Sequence, residues 1–148
     1  MAVTANMYPL AFHTAWNKEA DYDTDTIKCA LTNTAYTYAV THKYFDAAPF
    51  NAAFTELTTA NGYTAGGVAL TSPTITDAQT MSWTAGNAVW TSTGTLSAVA
   101  AVVYDSTPGA GVKPLISFVQ FGGTVTAPSG ATLTIAWNAS GIISVVVA

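Results

Sequence analysis

From residue 67 onward the chain is written in short runs rich in Val, Ile, Thr and aromatic residues, at 67–72, 74–85, 88–92, 95–104, 114–121, 123–126, 132–137 and 142–147. Gly, Asn, Pro and Ser separate them, so that a new run starts about every ten residues. β-Branched and aromatic side chains suit a pleated, half-buried surface, and short strands at this spacing point to a sandwich or barrel. The expectation is a mainly β chain, an antiparallel β-sandwich with a jelly roll as one arrangement of it, and one or two short helices in the N-terminal third. The clearest local prediction is a hairpin joining 132–137 to 142–147 through Asn138-Ala139-Ser140-Gly141, with Leu133, Ile135 and Trp137 facing inward. Asn138-Ala139-Ser140 also fits a glycosylation sequon, but the apolar runs on each side make it a turn.

At 148 residues the chain has the length of one domain, and no linker or internal repeat divides it. Four lysines, no arginine and eight acidic residues give a net charge of −4. Lys18, Lys28, Lys43 and Lys113 are too few to neutralise a run of phosphates, which excludes a nucleic-acid ligand and argues against an anionic membrane surface. No apolar run approaches the roughly 20 residues that span a bilayer. Solubility must come from hydroxyls, amides and backbone, and such a surface is cheap to desolvate. Cys29 is the single cysteine, so no internal disulfide forms and stability must come from packing. Residues 1–6 have neither a basic region nor a sustained apolar one, from which synthesis in a cytoplasm without a secretory signal is expected.

The N-terminal third is less regular. Residues 9–20 place Leu10, Phe12, Ala15 and Trp16 at mixed spacing, read as a short helix in preference to an extended arm, and residues 1–16 are taken as an N-terminal segment of the domain. Residues 26–31 alternate Ile27, Cys29 and Leu31 against Lys28 and Ala30, the pattern of a half-buried strand. From 33 to 63 periodicity fades and aromatics accumulate: Tyr36, Tyr38, Tyr44, Phe45, Phe50 and Phe54. A compact loop with helical turns near 41–46 and 51–57 suits this stretch, and its rings must pack on a core or on a neighbour. Residues 105–111 are expected to form an exposed loop.

Reactive constellations are sparse. Asp21, Asp23 and Asp25 beside Glu19 mimic the start of a calcium loop, but Thr26 stands at the required glycine and Thr32 at the closing glutamate, so a solvated turn is the better reading. His13 and His42 lie far apart with no cysteine pair, which leaves zinc without ligands. No GxSxG elbow accompanies the serines, and Pro114 spoils the phosphate-loop likeness of Gly109-Ala110-Gly111-Val112-Lys113. Neither an enzyme, nor a metal, nor a cofactor is expected. Trp16, Trp83, Trp90 and Trp137 open a further class, a sugar-stacking sandwich, against which stands the rule that tryptophans at alternating strand positions are usually core.

Several ordered blocks carry a resemblance. Asn17-Lys18-Glu19, Asp23-Thr24-Asp25-Thr26-Ile27-Lys28, Thr41-His42-Lys43-Tyr44-Phe45-Asp46 and Gly62-Tyr63-Thr64-Ala65-Gly66-Gly67-Val68 stand in the first half of the chain. Ala101-Val102-Val103-Tyr104-Asp105-Ser106-Thr107-Pro108, Lys113-Pro114-Leu115-Ile116, Phe121-Gly122 and Ile135-Ala136-Trp137-Asn138-Ala139-Ser140-Gly141-Ile142 follow. Together they resemble a family of small virion structural proteins of tailed bacteriophages, over nearly the whole length. The resemblance implies a non-enzymatic capsid decoration, or cement, protein on the outer capsid surface, bound to the major capsid protein as a trimer or dimer; a tail or adhesion role is the alternative. Interface anchors are expected among Tyr8, Phe12, Trp16, Tyr44, Phe45 and Phe50, because aromatic side chains dominate contact energetics. The competing reading makes all six core residues.

Overall fold

The computed structural model describes residues 3–76 and 78–146. Residues 1 and 2 of the expected N-terminal segment, 77 of the 74–85 run, and 147 of the last run lie outside the described residues. The fold is mainly β and sandwich-like, with two short helices. In chain order its elements are β1 (Thr4–Met7), α1 (Leu10–Trp16), β2 (Ile27–Thr32), α2 (Phe50–Ala53), β3 (Val68–Ala69) and β4 (Thr74–Thr76). β5 (Thr80–Thr84), β6 (Ala88–Thr91), β7 (Leu96–Asp105), β8 (Leu115–Ala127), β9 (Thr132–Ile135) and β10 (Ile143–Val146) complete it.

A five-stranded antiparallel sheet in the order β1-β8-β7-β2-β3 forms the centre. Its front face carries Ile27, Cys29, Leu31, Ala101, Val103, Val119 and Phe121, which meet Trp83, Trp90, Leu133, Ile135 and Ile143 of two smaller sheets, β10-β5-β4 and β6-β9. Phe12 and Ala15 of α1 pack against the same core. The back face carries Ala30, Ala100, Val102, Tyr104 and Phe118, and these are covered by Tyr36, Phe50 and Phe54 from the connection after β2. The central strands are therefore enclosed on both sides, which is why residues 98–104 read as one apolar run.

Two irregularities set which side chain faces which layer. In β7, Leu96 and Ala98 point forward and so do Ala101 and Val103, a change of parity located at the register shift between Ala98 and Ala100. Opposite that shift β8 bulges between Gln120 and Val125, where Gly122 adopts φ +74°, a backbone region that glycine enters without penalty. The expected break between 121 and 123 is thus a bulge within one 13-residue strand. Gly67, at φ +72°, lies so close to β2 that an added Cβ would sit 2.0 Å from the Cys29 carbonyl oxygen, so the β2–β3 edge requires glycine there.

Other expectations are revised by the fold. The 132–137 and 142–147 runs do not form a hairpin: β9 pairs with β6 and β10 with β5. The connecting turn does form, through Gly141 N–H to the Asn138 carbonyl and Ser140 N–H to Asn138 Oδ1, but it passes the chain from one small sheet to the other. The 74–85 run is divided into the antiparallel pair β4 and β5. β2 is buried on both faces rather than half-buried, because β3 and β7 flank it and the aromatic connection covers its back. The helical turn expected near 51–57 begins earlier, at Phe50, and the segment near 41–46 forms turns with a bridge from Tyr44 to Pro114 instead. Asp105, expected in an exposed loop, is the buried last residue of β7.

Candidate contact surface

The six expected anchors fall in three environments. Tyr8 and Phe50 are enclosed in the back core, edge to face with each other at 6.4 Å, and offer nothing to a partner of the folded subunit. Phe45 and Phe12 are half-buried: Phe45 stacks on Tyr104 at 3.9 Å with nearly parallel rings, and Phe12 packs at 5.7 Å on Trp83 of the front core. The Tyr44 hydroxyl donates to Glu19 Oε2 at 2.7 Å, beside the Lys43–Glu19 ion pair at 3.0 Å, which ties the end of the α1 region to the aromatic connection. Trp16 alone stands free, 84% exposed at the last position of α1. Of the other tryptophans, Trp83 and Trp90 are core, and Trp137 is half-buried with its Nε1–H donated to the Gly86 carbonyl.

An apolar cleft of about 400 Å³ opens where the two layers of the sandwich part beside edge strand β1. Its floor is the front face of β1 and β8, with Ala5 paired opposite Val119. Leu133, Ile135 and Ile142 wall the other side. Val3 at 65% and Val125 at 38% exposure stand at its mouth. Ser117 also lines the cleft; its residue is 2% exposed, yet its Oγ has no hydrogen-bond partner. A buried hydroxyl without a partner forfeits its hydration, a cost the packing around Ser117 must offset.

Two further polar clusters are buried away from the cleft. Tyr8 Oη lies 3.0 Å from Tyr36 Oη, which lies 2.6 Å from His42 Nδ1. Burial lowers the His42 pKa and raises those of both tyrosines, so the neutral forms of all three groups are favoured and they link as one buried hydrogen-bonded chain. At the end of β7, Asp105 Oδ1 accepts the Thr107 N–H at 2.9 Å while Oδ2 has no partner. Burial pushes this carboxyl up to about 7, with the neighbouring Asp25 acting in the same direction. Asp25 Oδ2 itself accepts the Asp21 N–H at 2.8 Å. Among the described residues, no group of three or more His, Cys, Asp or Glu side chains is placed to hold a metal ion, and no helix is long and apolar enough to cross a membrane.

Comparison with protein-family models, with curated proteins and with solved structures finds no match to the chain. The resemblance to phage virion proteins rests on the sequence blocks alone. Sequence reasoning missed the cleft, since Val3, Ser117, Val125 and Ile142 come from three distant segments and only the crossing of the small sheets gathers them. The one signal available was the uncharged stretch from residue 1 to 17, which leaves β1 without the lysines or inward charges that commonly blunt a sheet edge.

Proposed function

We propose that this chain is a structural protein of a tailed-bacteriophage virion, a decoration subunit that binds the outer surface of the major capsid protein lattice and stabilises the head. The observation that carries the reading, beside the resemblance, is a surface poor in ions: among the described residues the exposed charged side chains are Lys18, Asp21 and Asp23. Glu19 and Lys43 neutralise each other, as do Asp46 and Lys113, and Asp105 is buried. What remains outside is largely threonine, serine, asparagine, alanine and glycine, which can be desolvated over a broad area without stranding charges.

The mechanism is mass action. A subunit that binds only the assembled shell stabilises it by its own binding free energy, and a contact of roughly 1,600 Å² is enough to hold one protein on another. Repetition over the lattice adds up modest single contacts. Because few ions take part, attachment to shells that lack the protein should persist from low to molar salt, measured by co-sedimentation. Release of the protein by moderate salt alone counts against the reading. Locating the chain in intact particles by electron cryomicroscopy tests it directly; particles devoid of the chain overturn it.

A further inference from the structure

The two edges of the central sheet are finished differently. On the β3 side, the groups that β2 turns away from β7 are met: Leu70 N–H donates to the Ile27 carbonyl at 2.8 Å, Leu57 N–H to the Leu31 carbonyl at 2.9 Å, and Leu31 N–H to Tyr63 Oη at 3.1 Å. On the β1 side the register decides which groups face out. Tyr8 N–H donates to the Ile116 carbonyl at 3.0 Å, and the same register carries on through Asn6 opposite Phe118 and Thr4 opposite Gln120. Antiparallel hydrogen bonds fall on every second residue, so the even positions bond to β8 while Val3, Ala5 and Met7 turn their N–H and C=O groups outward. Tyr38 Oη donates to the Met7 carbonyl at 2.5 Å and closes that end. Among the described residues nothing meets the backbone of Val3 or Ala5, and both residues are exposed.

We propose that β1 pairs with β1 of a second copy, antiparallel across a two-fold axis at Thr4, so that two five-stranded sheets become one. In this register Val3 of each copy lies opposite Ala5 of the other, and the N–H and C=O groups of both residues are all used. Val3-Thr4-Ala5 reads apolar, hydroxyl, apolar in either direction, which is what an antiparallel self-pair needs. On the front face Val3 gains a neighbour in the other copy's Ala5, where in the single subunit it stands 65% exposed at the mouth of the cleft. On the back Thr4 meets Thr4, a favourable cross-strand pair. Residues 1–17 contain no Asp, Glu, Lys or Arg, so the two-fold sets no like-charged side chains of this segment against each other. An axis at Ala5 would instead direct Val3 N–H to the Met7 carbonyl that Tyr38 already holds, which selects Thr4. A strand edge without lysine, proline or inward charge is a template for a further strand, and the segment that matches this one is its own copy. The contact joins copies of the chain and stands apart from the capsid reading.

Parity and symmetry both give tests. Ala5→Pro deletes an outward N–H and no bond to β8, so far-UV circular dichroism and the denaturant midpoint should hold. Self-association, followed by sedimentation from micromolar to millimolar concentration, should weaken at least about tenfold in that variant. Thr4→Lys and Thr4→Glu, at an exposed position, each set like charges opposite one another across the axis. Either alone should associate about tenfold more weakly than wild type at low salt, and an equimolar mixture should recover association as a heterodimer. Thr4→Cys should link to itself on mild oxidation, because residues opposed in a non-hydrogen-bonded pair stand close enough to bridge, and adding Ala5→Pro should abolish the link. The native Cys29 is fully buried and burial raises its thiol pKa, which keeps it out of the oxidation. Undiminished association of Thr4→Lys, no rescue on mixing, or a wild-type chain that is monomeric at millimolar concentration overturns the proposal. So does a monomeric chain whose shell binding falls with Ala5→Pro, which gives the edge to the shell. A wild-type chain that self-associates in this way yet fails to bind shells supports the pairing and strikes only the capsid reading.

Discussion

On the front of the central sheet, Ile27, Leu31, Val103 and Val119 meet other strands; on the back, Ala30, Val102 and Phe118 meet a connection that has almost no regular structure of its own. The front core is aliphatic with tryptophan, and its backbone polar groups are satisfied by ladders between strands. The back core is a cluster of rings, with Tyr36 edge-on to Phe50, Phe54 and Phe118 at 4.9–5.6 Å, and Phe50 stacked on Phe54 at 4.9 Å. Its tyrosine hydroxyls pair singly, Tyr8 with Tyr36, Tyr36 with His42, and Tyr38 with the Met7 carbonyl, while scattered backbone bonds such as Phe45 N–H to the Lys113 carbonyl and Leu115 N–H to the Lys43 carbonyl pin the connection. The difference teaches that a long loop can serve as a layer of a sandwich when aromatic area replaces the ladder. The cost is that each hydroxyl must find its own partner.

The largest expected effect separates the two layers energetically. Phe50→Ala removes a buried ring from the centre of the back cluster and should destabilise the protein by about 3–5 kcal/mol. The tryptophans with buried or half-buried rings, Trp83, Trp90 and Trp137, all belong to the front core, so tryptophan fluorescence reports that side selectively. If the layers unfold together, fluorescence and near-ultraviolet circular dichroism of the tyrosines shift to the same lower denaturant midpoint. A fluorescence midpoint left at the wild-type value would show the aromatic layer to be a separable unit.

Next comes Asp105, at the end of a strand that serves both faces. Its carboxyl is raised in the fold to about 7, from an ordinary value near 3.8. A raised folded-state value means that the native protein holds the proton more tightly than the unfolded chain. The associated stability is fully present below about pH 4 and is lost as pH rises through 7. Asp105→Asn keeps a neutral side chain at every pH. It should therefore stabilise the protein at pH 8 by on the order of 3 kcal/mol and flatten the decline between pH 4 and 7, measured as urea midpoints across that range. A wild-type profile that is already flat there contradicts the buried, protonated carboxyl.

The contrast between the faces also explains what could be read in advance. The strands of the front core announced themselves, because Ile27, Cys29 and Leu31, or Leu133 and Ile135, keep period-two spacing and end at Gly, Asn or Pro. Pairing did not follow from that. Asn138-Ala139-Ser140-Gly141 forms the turn its residues favour, yet β9 and β10 leave it toward different partners, and partner choice depends on residues 80–91, remote in sequence. The aromatic connection was legible as something that must pack, but its composition does not distinguish a layer beneath the sheet from a patch facing a partner. Hence Tyr8 and Phe50, expected as anchors, are core, while Trp16 is open to solvent. Asp105 was misplaced for a similar reason: an acidic residue beside Ser106 and Pro108 reads as a loop, and only the pairing of Ile27 with Asp105 extends β7 to include it.

Within the back layer, Tyr36→Phe tests the polar chain without disturbing the ring packing. It leaves the Tyr8 hydroxyl and His42 Nδ1 each without the Tyr36 partner, both in a buried setting, and should cost about 1–2 kcal/mol. Phe54→Tyr is a useful contrast at a similar depth, since it adds a hydroxyl with no assigned partner. If the substitution at Tyr36 is neutral, ring area alone holds the layer and the hydroxyl chain is incidental.

The smallest effect is expected at the seam between the regions, where Glu19 at the end of the α1 region reaches Lys43 and Tyr44 of the aromatic connection. The Tyr44 hydroxyl, followed by Lys43, holds the Glu19 carboxyl below its ordinary range even against partial burial. A lowered folded-state value gives stability that is present above the ordinary glutamate range and lost as pH falls through the folded value, the opposite sign to Asp105. The Lys43–Glu19 pair is part-exposed, so Lys43→Ala should cost no more than about 1 kcal/mol at low salt, and less in molar salt. Tyr44→Phe removes a short hydrogen bond to a carboxylate and should cost as much or more, with little dependence on salt. Reversal of that order, with Lys43 dominant and strongly screened, would mean that this seam is joined by charge rather than by the hydroxyl pairing found within the back layer.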